Sequence, residues 1–266
     1  MVFVSQFEYN DAMSDDWDLE VCSFDNSGTE TTSNGLELNS ITDELINKSI
    51  DYGATNGSPI TFDITLIHRN DKNQFFNRDE IREISNWLLT VKLHWLKLYD
   101  LEYDDYWCLG RFTKISKTKF GGNVPAITLT FVSLFNYYYS DIITKKFSVS
   151  GTSTLKITSY GDEIEGYMYP NLTIKMKSAG SVSIKNKLDD KGFVLSNLLN
   201  GEIIKVDGYN LIIYSSTTSS SLSPKVFGDN FNRHWLKLYR GENTLEAKGN
   251  FDITFEYREA RRIGEF

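Results

Sequence analysis

Short runs in which apolar and polar residues alternate recur along the chain, and a period of two is what a strand with one buried face requires. The clearest is FDITFEY, where Phe251, Ile253, Phe255 and Tyr257 alternate with Asp252, Thr254 and Glu256. Similar runs predict strands at 2–9, 19–24, 60–68, 94–99, 106–117 and 126–139 in the first half. In the second half they fall at 147–149, 153–158, 172–176, 181–184, 192–195, 202–206 and 211–215, then at 235–239, 244–247 and 251–257. The later strands are spaced eight to twelve residues apart, as in a two-sheet sandwich. GGNVP at 121–125 supplies the turn of a hairpin, and RGEN and KGN supply turns near the C-terminus.

One stretch has the helical period instead. Ile81, Ile84, Trp87, Leu88 and Val91 recur on one face, Asn77 is placed to cap the first turn, and Glu80 completes a capping box. Residues 25–58 are rich in Ser, Thr, Asn, Asp and Gly and read as a long polar loop or mobile arm. The pattern changes near 136–143, from strands with a helix to short strands alone. Two domains follow, 1–138 and 139–266, in a mainly β protein. Two words occur twice, HWLKLY at 94–99 and 234–239 and FDIT at 62–65 and 251–254. Their order is reversed between the halves, so shared strand chemistry explains them better than duplication.

Composition agrees with a β-rich globular chain. Aromatic residues make up 14% of the 266, a usage that suits pleated surfaces, and four prolines with 24% charged residues exclude a disordered chain. The net charge of −8 argues against a nucleic-acid partner, whose phosphates need a basic face. No apolar run is long enough to cross a bilayer, and the N-terminal sequence lacks the basic and apolar regions of a signal peptide, so synthesis in the cytoplasm is expected. Cys22 and Cys108 could form one disulfide, but two cysteines far apart in a chain made in that compartment are expected reduced and buried.

Candidate chemistry is thin. His68, His94 and His234 are scattered, without neighbours at metal-ligand spacing, and the latter two stand at strand starts, where a structural role suits them. Asp15/Asp16, Asp104/Asp105 and Asp189/Asp190 are adjacent carboxylates, but adjacency does not create the cleft that glycoside hydrolysis needs. Acidic loop tips explain them more simply, with calcium binding a lesser alternative. Tyr137, Tyr138 and Tyr139 could stack on a sugar or cover a domain seam. Arg258, Arg261 and Arg262 form a small basic tail, suited either to a subunit or domain contact through carboxylates or to a solvated strand end. No cofactor, metal or catalytic residue is expected, and the chain reads as a non-enzyme.

The order of segments resembles a known family. YNDAMSDDWDLEVCSFDNSG, FDITLI, RDEIREISNWL, HWLKLYDLEYDDYWCLGRF and FVSLFNYYYS, in that order, look like the N-terminal domain of the distal tail protein (Dit) family of long-tailed bacteriophages. NLTIKMKSAGSVSIKN, GEIIKVDGYNLIIYSS and the closing stretch from HWLKLYRGEN onward are similar to its C-terminal galectin-like β-sandwich. The resemblance implies a structural virion protein at the phage tail tip. Its β-barrel-like N-terminal domain with one helix would assemble into a homohexameric ring, a baseplate hub. That ring would meet the tail tube protein on one side and the tail-associated tip protein on the other, and the galectin-like domains could anchor receptor-binding proteins. The polar segment 26–58 is long enough to cross to a neighbouring subunit. A carbohydrate-binding module for host wall or surface glycans is the alternative, weakened because Trp235 lies in a run that reads as buried and because the chain has no room for a carbohydrate-binding insertion.

Overall fold

The computed structural model describes residues 4–24, 36–43, 48–69, 75–100, 106–163, 165–217 and 227–262. The chain forms two compact units. One runs from the first strand to Ser140 and also includes Arg261 and Arg262; the other runs from Asp141 to Ala260.

The first unit contains β1 (Val4–Tyr9), β2 (Ala12–Met13), β3 (Leu19–Phe24), β4 (Leu36–Asp43), β5 (Lys48–Asn56), β6 (Thr61–His68), helix α1 (Arg78–Leu88), β7 (His94–Asp100), β8 (Tyr106–Phe120), β9 (Asn123–Ser133) and β10 (Tyr138–Tyr139). An antiparallel sheet runs in the order β2-β1-β7-β8-β9-β6-β3, and β10 joins β8 at Trp107. β1 and β3 approach one another, so the sheet curls. In β6 the buried residues Phe62, Ile64, Leu66 and His68 alternate with partly exposed ones, as the period of two predicts.

Helix α1 closes this unit's core. Asn77 Oδ1 accepts from the backbone N–H of Asp79 and Glu80, both at 2.9 Å, and Glu80 Oε2 accepts from Asn77 N–H at 2.8 Å, so the predicted capping box is formed. Ile81, Ile84, Trp87 and Leu88 are buried. The Trp87 ring lies between Phe7 and Trp17, at 5.7 and 5.2 Å with interplanar angles of 5° and 7°, and its Nε1–H donates to the Tyr9 carbonyl at 2.9 Å. Val91 departs from expectation. The helix stops at Leu88, so Val91 falls past the last turn and is 88% exposed.

The polar segment 25–58 is more ordered than a loop. Within it β4 and β5 pair antiparallel as a separate hairpin, with Leu36 opposite Asn56 and Ile41 opposite Ile50. Residues 25–35 and 44–47 lie outside the described residues, as does the acidic loop 101–105.

The second unit contains β11 (Ile143–Ser159), β12 (Tyr167–Met168), β13 (Asn171–Met176), β14 (Gly180–Asn186), β15 (Gly192–Leu198), β16 (Ile203–Asp207), β17 (Ile212–Ser215), the short helix α2 (Phe227–Asn230), β18 (Leu238–Tyr239), β19 (Gly241–Tyr257) and β20 (Ala260–Arg261), which crosses into the residues counted with the first unit. Its organiser is β19, a 17-residue strand paired along its whole length with β11. The first half of β19 pairs on its other side with β14, and the second half with β13. Gly151 and Gly249 face each other at the middle, with φ of 71° and 139°. Glycine alone adopts such angles freely, and here the two let a continuous ribbon bend from one layer into the next. One layer therefore holds β13, β16 and β17, and the other β14 and β15. Between them lie Val149, Ile157, Ile174, Ile184, Phe193 and Phe255, all buried in one core.

Two expected boundaries change accordingly. The glycines at 151 and 249 do not end strands, so 147–149 with 153–158, and 244–247 with 251–257, are single elements. Conversely, 235–239 contributes only the two residues of β18, and β9 ends at Ser133 instead of continuing to 139.

Candidate interaction surfaces

The histidines serve structure. His68 is buried, stacked on Phe76 at 4.3 Å, with its Nδ1 3.9 Å from an Asp18 oxygen and its Nε2 3.8 Å from a Glu80 oxygen. His94 packs against Tyr9 at 5.4 Å, and His234 is exposed. Among the described residues no three His, Cys, Asp or Glu side chains are placed to hold a metal ion.

The carboxylate pairs are divided between unlike tasks. Asp15 pairs with Arg69, while Asp16 accepts from Met13 N–H at 3.0 Å. Asp189 accepts from the Tyr239 hydroxyl at 3.0 Å and Asp190 pairs with Lys185 at 2.7 Å. Burial first, and then the Asp189 hydrogen bond, push the Tyr239 phenol up to about 12. Asp104 and Asp105 lie outside the described residues.

Both cysteines are free thiols. Cys108 is buried, and burial raises its thiol well above the usual range. Cys22 contradicts the expected burial: it is exposed, near the end of β3 where the register with β6 shifts between Val21 and Ser23.

Nor are the tyrosines of 137–139 a surface platform. Tyr137 and Tyr138 are buried, and Tyr139 sits edge-on to Trp95 at 5.3 Å. All five tryptophans are buried or partly buried, and Trp235 packs edge-on against Phe231 at 5.0 Å beside the second core. The three arginines fall on both sides of the division between units, Arg258 in the second and Arg261 and Arg262 in the first.

What remains exposed and distinctive lies at the ends and edges of the sheets. In the second unit, edge strand β15 is covered: Asn232 exchanges hydrogen bonds with Val194, and its Nδ2 donates to the Gly192 carbonyl at 2.6 Å. At the other edge, Ile212 and Tyr214 of β17 are 42% and 55% exposed. In the first unit the β8–β9 turn is exposed, with Phe120 at 78%.

Comparison with known proteins accounts for both units. Residues 3–133 match the family described as "Phage tail protein N-terminal domain", and residues 137–257 match "Phage tail C-terminal domain". The chain belongs to the phage tail proteins. Solved structures extend this to the fold. The Dit protein of phage SPP1, described as a paradigm of the hub adsorption apparatus in phages infecting Gram-positive hosts, is similar with a TM-score of 0.66 at 13% identity, over 96% of this chain and 99% of that one. A chain of the phage P2 baseplate in its activated conformation with Ca is similar with a TM-score of 0.53 at 11% identity, over 95% and 98%. The same baseplate with Sr gives 0.53 at 9%, over 96% and 98%. No curated protein matches the sequence significantly. This tail protein is thus mainly β with a Dit-like fold, as the order of its segments implies.

Proposed function

We propose that this tail protein is the hub of a phage tail tip, a homohexameric ring joining the tail tube to the tip protein and the receptor-binding apparatus. The observation that carries this reading is coverage: both units, in order, superpose on a hub chain from end to end. Shared domain order over a whole chain is more informative than either β fold alone, since folds are reused for many functions. In this reading the first unit forms the ring. The second, a galectin-like sandwich, faces outward and anchors receptor-binding proteins. The protein works by binding in the virion, without catalysis.

A ring of identical subunits needs heterologous contacts that close. Native mass spectrometry and negative-stain imaging of the purified full chain should show a closed six-subunit ring. A stable monomer that binds neither tail tube nor tip protein would sink the reading. The carbohydrate alternative is less well supported, because the tryptophans that would stack on a sugar are buried or partly buried.

A further inference from the structure

Charge is segregated along the sequence of the first unit. Residues 1–47 hold eleven carboxylates and no Lys or Arg, whereas 106–140 hold Arg111, Lys114, Lys117 and Lys119 and no carboxylate. The fold gathers each set of charges on its own element.

The basic segment forms the β8–β9 ribbon. The ladder of β8 with β7 ends at Gly110 and that of β9 with β6 at Ile127; beyond it Phe76 N–H still donates to the Val124 carbonyl at 2.8 Å, so the open part of the hairpin is its tip. Every residue from Lys117 to Asn123 is exposed. Among the described residues none of Lys114, Lys117 and Lys119 makes an ion pair. The exposed Phe120, next to Lys119 at the tip of a hairpin, is an aromatic side chain available to enter a contact.

The acidic segment forms the turn after β1. Asp15 and Asp16 are exposed on a single 3-10 turn, Ser14–Trp17, and Asp11 is exposed beside it. Phe7 N–H donates to Ser14 Oγ at 3.1 Å and Trp17 stacks on Trp87, which holds the turn rigid. β1 and β8 are both antiparallel to β7 and so run the same way. Turn and ribbon therefore leave the sheet at the same end, an arrangement that a rotation relating neighbours around a ring can bring together.

We infer that the β8–β9 ribbon is a contact between copies of this chain, with Lys114, Lys117, Lys119 and Phe120 of one subunit seated on the acidic turn Asp11–Asp18 of the next. The inference rests on the ring reading above and names where the ring closes. Charge complementarity selects the occupant, because among the described residues the ribbon's lysines make no ion pair within their own subunit. Nucleic acid is a poor rival, since a chain of net charge −8 repels phosphate.

The test uses the full chain at fixed protein concentration, with native mass spectrometry and light scattering. Wild type should form rings that loosen as salt rises, since exposed pairs are screened within a Debye length. The variant Lys114→Glu/Lys117→Glu/Lys119→Glu should melt like wild type yet need about a hundredfold higher concentration to assemble. A second variant, Asp15→Lys/Asp16→Lys, should also fail alone, and an equimolar mixture of the two should recover rings of alternating subunits. Intact rings from the lysine variant would overturn the inference and leave the hub reading standing. Intact rings that no longer bind tail tube protein would reassign the ribbon to that partner. A wild-type monomer would overturn both.

Discussion

Glu163 and the two thiols show how burial sets the chemistry of single side chains. Burial, with smaller pushes from Glu259 and Asp162, raises the Glu163 carboxyl above its ordinary 4.5. The folded state thus holds this proton more tightly than the unfolded chain does. Its contribution to stability is fully present below about pH 4.5 and is lost as pH rises through the folded value. Glu163→Gln should remove that loss, so the melting temperature of the variant should fall less between pH 4 and pH 7 than that of wild type. The thiols supply a second measurement. Cys108 is buried and its thiol stays protonated at neutral pH, whereas Cys22 is exposed. Titration of the native protein with a thiol reagent should modify one cysteine quickly, and Cys22→Ser should abolish that fast phase. The second equivalent should appear only in denaturant.

At the scale of elements, the β11–β19 ribbon depends on one demanding local conformation. A Cβ on residue 249 would stand 2.6 Å from the Ser181 carbonyl oxygen at a φ of 139°, whereas one on residue 151 would meet nothing within 4 Å. Gly249→Ala should therefore cost about 2 kcal/mol or more, and Gly151→Ala about 1 kcal/mol, read from denaturant midpoints. A reversed order of effects would remove the bend from its place as organiser of the second unit. The sequence signalled alternation on both sides of each glycine, and so the strands were legible. A turn and a bend, however, use the same residue, and only pairing partners distinguish them. The repeated hexapeptide makes the same point. HWLKLY lies in a regular strand at 94–99 but mostly in irregular chain at 234–239. In both copies the two leucines are buried and the lysine lies over tyrosine, Lys97 at 5.1 Å from the Tyr99 ring and Lys237 at 3.5 Å from that of Tyr167. Identical sequence therefore fixed side-chain partition, and the neighbouring strands decided the backbone. Helix α1 was legible down to its cap because its signals are local. The charged ribbon was legible as composition, in the acid-free stretch 106–140, but its projection depends on where the ladders of β7 and β6 stop.

For the molecule as a whole, two separate cores are the governing fact. One gathers Phe7, Tyr9, Trp87, Phe112 and Phe131, the other Phe193, Phe251 and Phe255. Each unit has the apolar interior that independent stability requires. Phe131→Ala and Phe255→Ala should each cost about 3 to 5 kcal/mol, and each should lower one calorimetric transition while leaving the other in place. A single transition moved equally by both would show that the units melt as one. The pairing of β11 with β19 also constrains how the protein is made. The central ladder of the second unit joins Ile143 to Tyr257, so its middle strand leaves the ribosome after the strands that flank it. At about 5 to 20 residues per second, β11, β13 and β14 wait for several seconds without the strand they all flank. During that interval their apolar faces are open to chaperones and to neighbouring nascent chains, and a stop codon at 241 would leave the whole second unit without its spine.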